Sequence, residues 1–142
     1  EFLRQDSWEQ DIDSMKSILI GGEGFEFWSK IFRFLECVES DPESLIMTKY
    51  AKNNFLALKV SFFNQLYDLC DKMNIDYEEV RKHTTADNRI GESHSFITDQ
   101  RGFGGHCFPK DTSALVKTSE KYGSFLSIID CARSYNNEIR EN

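Results

Sequence analysis

The 142-residue sequence is poor in proline, with two, and in histidine, with three, and it contains no Cys-x-x-Cys pair. Without paired cysteines, and with His106 beside Cys107 and His83 apart from His94, no ligand set has the spacing at which zinc ligands converge, so no metal is expected. Basic residues are in deficit, 17 against 24 acidic for a net charge of −7, which argues against nucleic-acid binding on electrostatic grounds. There is no run of about 18 apolar residues and no signal peptide, so no membrane partner is expected. The four cysteines Cys37, Cys70, Cys107 and Cys131 are widely spread and read as free thiols of a reduced, cytoplasmic protein. The one glycine cluster after a strand pattern, Gly21-Gly-Glu-Gly24, lacks the G-x-G-x-x-G spacing of a dinucleotide cradle and reads as a turn. Repeats and low-complexity segments are absent too.

What remains is a chain of one ordinary domain's length, 39% apolar and carrying twelve phenylalanines, enough for a packed core. Ser17–Gly21 reads as a short buried strand, Phe25–Leu35 as a helix with one aromatic face, and Glu36–Ser40 as an extended link. Asp41-Pro42 is a helix start with proline at the first position, and no Gly or Pro interrupts from there to Met73. Leu45, Ile46, Phe55, Leu56, Val60, Phe63, Leu66, Leu69 and Cys70 cover more than one side of this helix, so it is expected to be buried on more than one face. Asp76-Tyr-Glu-Glu79 resembles a capping box opening a helix to about Thr85. Thr84–His106 is a long loop, the kind that usually has a job. A further helix is expected over Pro109–Tyr122, stopped by Gly123. Ser124 then caps a last helix with Phe125, Ile128, Ile129, Ala132, Tyr135 and Ile139 on its core side. The fold class is mainly α, built on one long helix, with a short β segment near the N-terminus.

The stretch Gly102-Phe-Gly-Gly-His-Cys107-Phe-Pro-Lys-Asp111 carries the chemistry. If Pro109 opens the helix, the Cys107 thiol faces unpaired backbone N–H groups and the positive end of the helix dipole, with Lys110 nearby. Those conditions favour a thiolate nucleophile. Gly102, Gly104 and Gly105 remove side chains where a ligand would approach closely. Lys49 and Asn53 stand four apart on the long helix, so an amine and an amide can reach one bound oxygen, as stabilisation of an oxyanion requires. Asp111, four residues after Cys107, projects back toward the thiol.

GFGGHCFPKD resembles the nucleophile motif of the UDP-glucose/GDP-mannose dehydrogenase family. Glu1-Phe-Leu-Arg4 is similar to that family's PEFLRE segment, Lys49-Tyr-Ala-Lys-Asn53 to its lysine-to-asparagine turn, and Asp87-Asn-Arg-Ile-Gly91 to its D-x-R-I-G element. The resemblance implies oxidation of a nucleotide sugar's C6 alcohol to a carboxylate with two NAD, through a thiohemiacetal and a thioester on Cys107. It implies that Lys49 and Asn53 steady the oxyanion, and that Glu1 and Asp111 handle water and protons. Arg89 is similar to an arginine that reaches across a dimer to the partner's nucleotide sugar. Phe103, Gly104, Gly105 and Lys110 are expected beside that substrate. Arg89-Ile-Gly91 tilts the expectation toward UDP-glucose, with GDP-mannose as the alternative. Gln5 stands where the family usually has a second glutamate, and Asn64-Gln65 replaces the more common Asn-Glu.

Members of the family carry an N-terminal NAD domain and a C-terminal domain, and both ends of this chain look cut within a pattern. The expected organisation is therefore residues 1–40 as the end of the NAD domain, 41–123 as the helical central domain, and 124–142 as the start of a connecting helix. NAD itself is expected to bind mainly outside this chain. The implied partner is a second copy, paired through the long helix 42–73. The alternative of another class is a helical dimerisation module without catalysis.

Overall fold

A computed structural model describes residues 7–141, and Glu1 and Gln5 lie outside the described residues. Packing divides the chain into two units, the first ending at Lys49 and the second starting at Tyr50.

The first unit contains α1 (Trp8–Ser14), β1 (Ser17–Gly21), α2 (Phe25–Ile31), β2 (Glu36–Ser40) and the opening turns of α3 (Pro42–Met73). β1 and β2 pair in parallel from Ser17 with Glu36 to Gly21 with Ser40, and α2 is the crossover. A parallel pair needs such a connection, because a hairpin cannot return the chain in the same direction. The link expected at Glu36–Ser40 is thus a strand. α2 is shorter than the aromatic spacing predicts: Phe32 caps it, and the Glu36 N–H already donates to the Lys16 carbonyl at 3.0 Å to begin the ladder. Nothing in the sequence reading anticipates α1, whose apolar content is the single pair Trp8 and Ile12.

α3 is continuous for 32 residues, about 48 Å at the rise of an α-helix. Asp41 caps it, accepting the Ser44 N–H at 2.8 Å, and that bond holds the Asp41 carboxyl below its ordinary range. In the second unit α3 packs with α4 (Tyr77–Thr85), α5 (Cys107–Lys121), α6 (Ser127–Glu141) and the 86–106 loop. Phe63, Cys70 and Tyr77 form a core cluster, flanked by Leu66, Tyr67, Val80 and Ile97. As expected, α3 is buried on more than one face: Asn54, Ala57, Ser61 and Asn64 line one side and Phe63 and Cys70 the opposite one, while a third side stays open. Phe55, Phe62 and Leu69 recur every seventh residue and stand 68%, 56% and 53% exposed, and Ile46 is exposed as well.

Two helix starts differ from the sequence expectation. α5 begins at Cys107, two residues before Pro109, because the first four N–H groups of a helix have no partner and proline's missing donor is tolerated there. α6 begins at Ser127 rather than Ser124. The Ser124 N–H is already committed to the end of α5, bonded to the Ser119 carbonyl at 2.8 Å while Gly123 N–H reaches Glu120 at 3.0 Å. With Gly123 at φ +68°, this is a Schellman stop. Phe125 and Ile128, expected in the core, are consequently exposed. No helix among the described residues is long and apolar enough to cross a membrane.

Candidate active site

Cys107 is the first residue of α5 and is exposed, with His106 as a cap residue that makes no side-chain cap bond. Its place at N1 puts it among the unpartnered N–H groups of the first turn, two positions further into the helix than a start at Pro109 would allow.

The loop that delivers Cys107 is clamped by polar side chains of α3 and α6. Asn64 Oδ1 accepts from Arg101 Nε at 2.9 Å and from the Gly102 N–H at 3.0 Å. Asn136 holds both backbone groups of Phe103, accepting its N–H at 2.6 Å and donating to its carbonyl at 3.0 Å. Arg101 Nη2 donates to Asp68 Oδ1 at 2.6 Å, and the Tyr135 hydroxyl donates to Asp68 Oδ2 at 2.8 Å. Arg101 and Gly102 are both left-handed, at φ +54° and +57°. A side chain at Gly102 would in addition run into the Asn136 amide oxygen. Phe103 is 3% exposed and packs edge-on to Phe108, so its side chain and both backbone groups are engaged within the fold. At Gly104 a Cβ would come 2.7 Å from the Arg140 guanidinium, while Gly105 faces open space at φ +71°.

One helical turn beyond Cys107, Asp111 is 2% exposed, and an ammonium and an amide meet its carboxylate. Its Oδ1 lies 2.9 Å from Lys110 Nζ, and its Oδ2 accepts from Asn53 Nδ2 at 2.6 Å. The bond to Asp111, reinforced by its charge, raises the Lys110 pKa above the usual lysine range. Asn54 Nδ2 donates to the carbonyls of Tyr50 at 2.8 Å and of Asp111 at 3.3 Å, stitching α3 to α5 a second time. Asn53, Lys110 and Asp111 therefore converge near the start of α5. The Asn53 amide, expected to aim at a bound oxygen, spends one hydrogen on Asp111 and keeps a second. Lys49 is half-buried, four residues before Asn53 on α3 and within the first packing unit.

Arg89 stands in the 86–106 loop, exposed, with its guanidinium forked onto the Asp87 carboxylate at 3.0 Å (Nε to Oδ1) and 2.6 Å (Nη2 to Oδ2). The residues not singled out from sequence are Asn54, Asp68, Arg101 and Asn136. Their signal was legible in principle: an amide such as Asn54 or Asn64 within an apolar helical pattern must find partners when buried.

The glycines after β1 do not fit a dinucleotide. A Cβ at Gly21 would lie 2.7 Å from Leu45 and 3.3 Å from Pro42, so close packing explains that glycine. Gly22 and Gly24, at φ +85° and +95°, make the turn into α2. Among the described residues no cluster of three or more His, Cys, Asp or Glu could hold a metal ion.

Residues 37–138 match the central domain of the UDP-glucose/GDP-mannose dehydrogenase family. The chain belongs to this family. It aligns with several curated relatives named UDP-glucose 6-dehydrogenase. That of Rhizobium meliloti is 33% identical over 96% of this chain and 33% of its own length. That of Rickettsia felis is 37% identical over 92% and 30%. A solved UDP-glucose dehydrogenase from Pyrobaculum islandicum superposes with a TM-score of 0.88 at 31% identity, covering 97% of this chain and 33% of that one. A UDP-D-ManNAc dehydrogenase from Pyrococcus horikoshii shares the fold, with a TM-score of 0.79 at 21% identity and coverage of 98% and 33%. The chain thus spans about a third of the length of these family members.

Proposed function

We propose that this chain is the helical central part of a UDP-glucose 6-dehydrogenase, which oxidises UDP-glucose to UDP-glucuronate. The observation that carries the reading is Cys107 at the first position of α5, one turn before Asp111, which Asn53 and Lys110 grip from two sides. Residues 1–40 read as the end of an NAD domain, 41–123 as the central domain and 124–142 as the start of a connecting helix. NAD, bound mainly outside this chain, supplies the acceptance of one hydride in each of two oxidations.

The chain's own residues act on the sugar's C6. Once that carbon is an aldehyde, Cys107 Sγ adds to it, an S–C bond forms and the oxygen takes a proton, giving a thiohemiacetal. Covalent capture keeps the aldehyde from escaping. Loss of a second hydride and of the hydroxyl proton leaves a thioester. Water then adds to the thioester carbonyl, the S–C bond breaks and the carboxylate leaves Cys107 free. Lys49 and the second amide hydrogen of Asn53 steady the oxygen as it gains charge. Asp111, with Glu1, orders the water and receives its proton. Arg89, Lys110 and the backbone of Gly104 and Gly105 contact the nucleotide sugar.

A second copy of the chain is the proposed partner of α3. The exposed row Phe55, Phe62 and Leu69 is continuous with an open groove of about 440 Å³ lined by Leu58, Phe62, Ile128, Cys131 and Tyr135. Apolar surface of this extent is characteristic of an interface. A non-catalytic dimerisation module would use the same surface, and the Cys107 loop is what favours the enzyme.

The deciding experiment is NADH production by the full-length protein with UDP-glucose and GDP-mannose in parallel. Two NADH per UDP-glucose is the expected result. Turnover of GDP-mannose alone would keep the mechanism and overturn the substrate, and no turnover of either would overturn the reading. The isolated 142-residue chain is expected to produce no NADH. By light scattering its mass should be twice 16.5 kDa.

A further inference from the structure

Lys59 lies on α3 within the second unit, half-buried, and the family motifs leave it without a task. Its ammonium donates to two successive carbonyls of the 86–106 loop, Ile90 at 2.7 Å and Gly91 at 2.8 Å. The side chain passes beside the Phe63 ring, with Nζ 6.0 Å from the ring centroid. Burial pulls the Lys59 pKa below the ordinary lysine value.

The two carbonyls end a tightly wired turn. Ile90 and Gly91 both donate their N–H to the Asp87 carbonyl at 2.9 Å. The Arg89 N–H donates to Asp87 Oδ1 at 2.9 Å, and the Arg89 guanidinium grips the same carboxylate. Gly91 closes the turn at φ +67° with open space around it, so it is the backbone angle that calls for glycine. Residues 87–91 are therefore one internally bonded unit, and Lys59 fastens the far end of that unit to the long helix. Arg89 sits one residue before the first fastened carbonyl, within about 4 Å of it along the chain.

A flexible lysine loses rotamer freedom when its head is fixed, and it is held here by two charge-assisted bonds to neutral acceptors. An ammonium suits this task, since it is a compact donor of three N–H groups that can serve adjacent carbonyls at once.

We propose that Lys59 is a positioning residue for Arg89: its grip on the Ile90 and Gly91 carbonyls fixes where the guanidinium is presented to the anionic nucleotide sugar. The inference rests on the reading of Arg89 as a substrate contact. Lys59 itself touches no substrate. Its loss acts by letting the turn swing, so that each binding event must first recover the right position of Arg89.

The test uses the full-length protein with Lys59→Met, Lys59→Arg, Arg89→Ala and the Lys59→Met/Arg89→Ala double variant. Losing two bonds to a charged group should raise KM for UDP-glucose about tenfold in Lys59→Met, with kcat changed far less. Lys59→Arg retains a cationic donor and should recover most of the loss. In the Arg89→Ala background Lys59→Met should add little, because both changes remove one function. An unchanged KM, or a full additive loss in the double variant, would overturn the proposal. Amide hydrogen exchange supplies a readout independent of activity. The Ile90 and Gly91 amides should exchange about tenfold faster in Lys59→Met, while Asn64 in mid-α3 keeps its protection and certifies the fold. Equal exchange at Ile90 and Gly91 would overturn the anchoring. A wild type inactive on both sugars would instead overturn the dehydrogenase reading, leaving the exchange result to decide the anchor.

Discussion

Asn53 donates its amide hydrogen to the Asp111 carboxylate at 2.6 Å, joining two helices across 58 positions of sequence. Asp111 is almost completely buried, and its carboxylate meets both the Asn53 amide and the Lys110 ammonium. Asn53→Ala removes one donor and leaves a buried carboxylate oxygen short of a partner, a loss of about 1–3 kcal/mol. Urea denaturation should show that loss, and in the Asn53→Ala/Asp111→Ala double variant the two effects should not add. Full additivity would mean the bond contributes nothing.

Cys107→Ser separates chemistry from folding. The thiol is exposed and takes part in no core contact, so stability should change by less than about 0.5 kcal/mol. Serine at a helix start is also well tolerated. Steady-state turnover of the full-length protein should nevertheless fall by roughly 10³-fold or more, the scale on which the loss of an attacking group acts. Full activity in this variant would remove Cys107 from the mechanism.

Much of this arrangement was legible in the sequence, and the physical reasons differ by element. α3 was readable because 32 residues without Gly or Pro leave a helix no place to stop, and Asp41-Pro42 announced its start. The Gly123 stop was readable because the Schellman turn demands a positive φ. The start of α6 was not, since Ser124 has the composition of a cap while its N–H serves the preceding helix. For the site, Cys107, Asp111 and Asn53 stood out as motif residues, but the clamp of Asn64, Asp68, Arg101 and Asn136 joins three segments distant in sequence. Periodicity reports which face is buried. It does not report which distant backbone group a buried amide will find.

That clamp makes the loop's glycines unequal. Gly102→Ala meets two obstacles, a left-handed backbone at φ +57° and the Asn136 amide oxygen, whereas Gly105→Ala meets only the backbone cost at φ +71°. The backbone cost alone is about 1–2 kcal/mol. Thermal denaturation should therefore rank Gly102→Ala well below Gly105→Ala in stability. Equal losses would show that Asn136 yields freely and does not hold the loop.

Two tyrosines make alkaline stability a readout of the same packing. Burial first, and then the Glu78 charge, push the Tyr77 phenol up to about 12 from 10.0. Burial first, and then the bond to Asp68, do the same for Tyr135, again to about 12. Both folded-state values are raised, so the unfolded chain gives up these protons at lower pH than the folded one. Stability from this source is complete below pH 10 and declines as pH rises from about 10 through about 12. Tyrosinate absorbance at 295 nm should contain a late component with a midpoint above 11, and the Tyr77→Phe/Tyr135→Phe double variant should lack it. Tyr135→Phe alone should also free Asp68 Oδ2 and loosen Arg101, so its loss of stability should already be present at neutral pH. Tyr77 donates its hydroxyl to the Ser95 carbonyl at 2.6 Å, and Tyr135 donates its own to Asp68 Oδ2 at 2.8 Å. A single early transition in the wild type, with no late component, would mean that neither hydroxyl is held by these bonds.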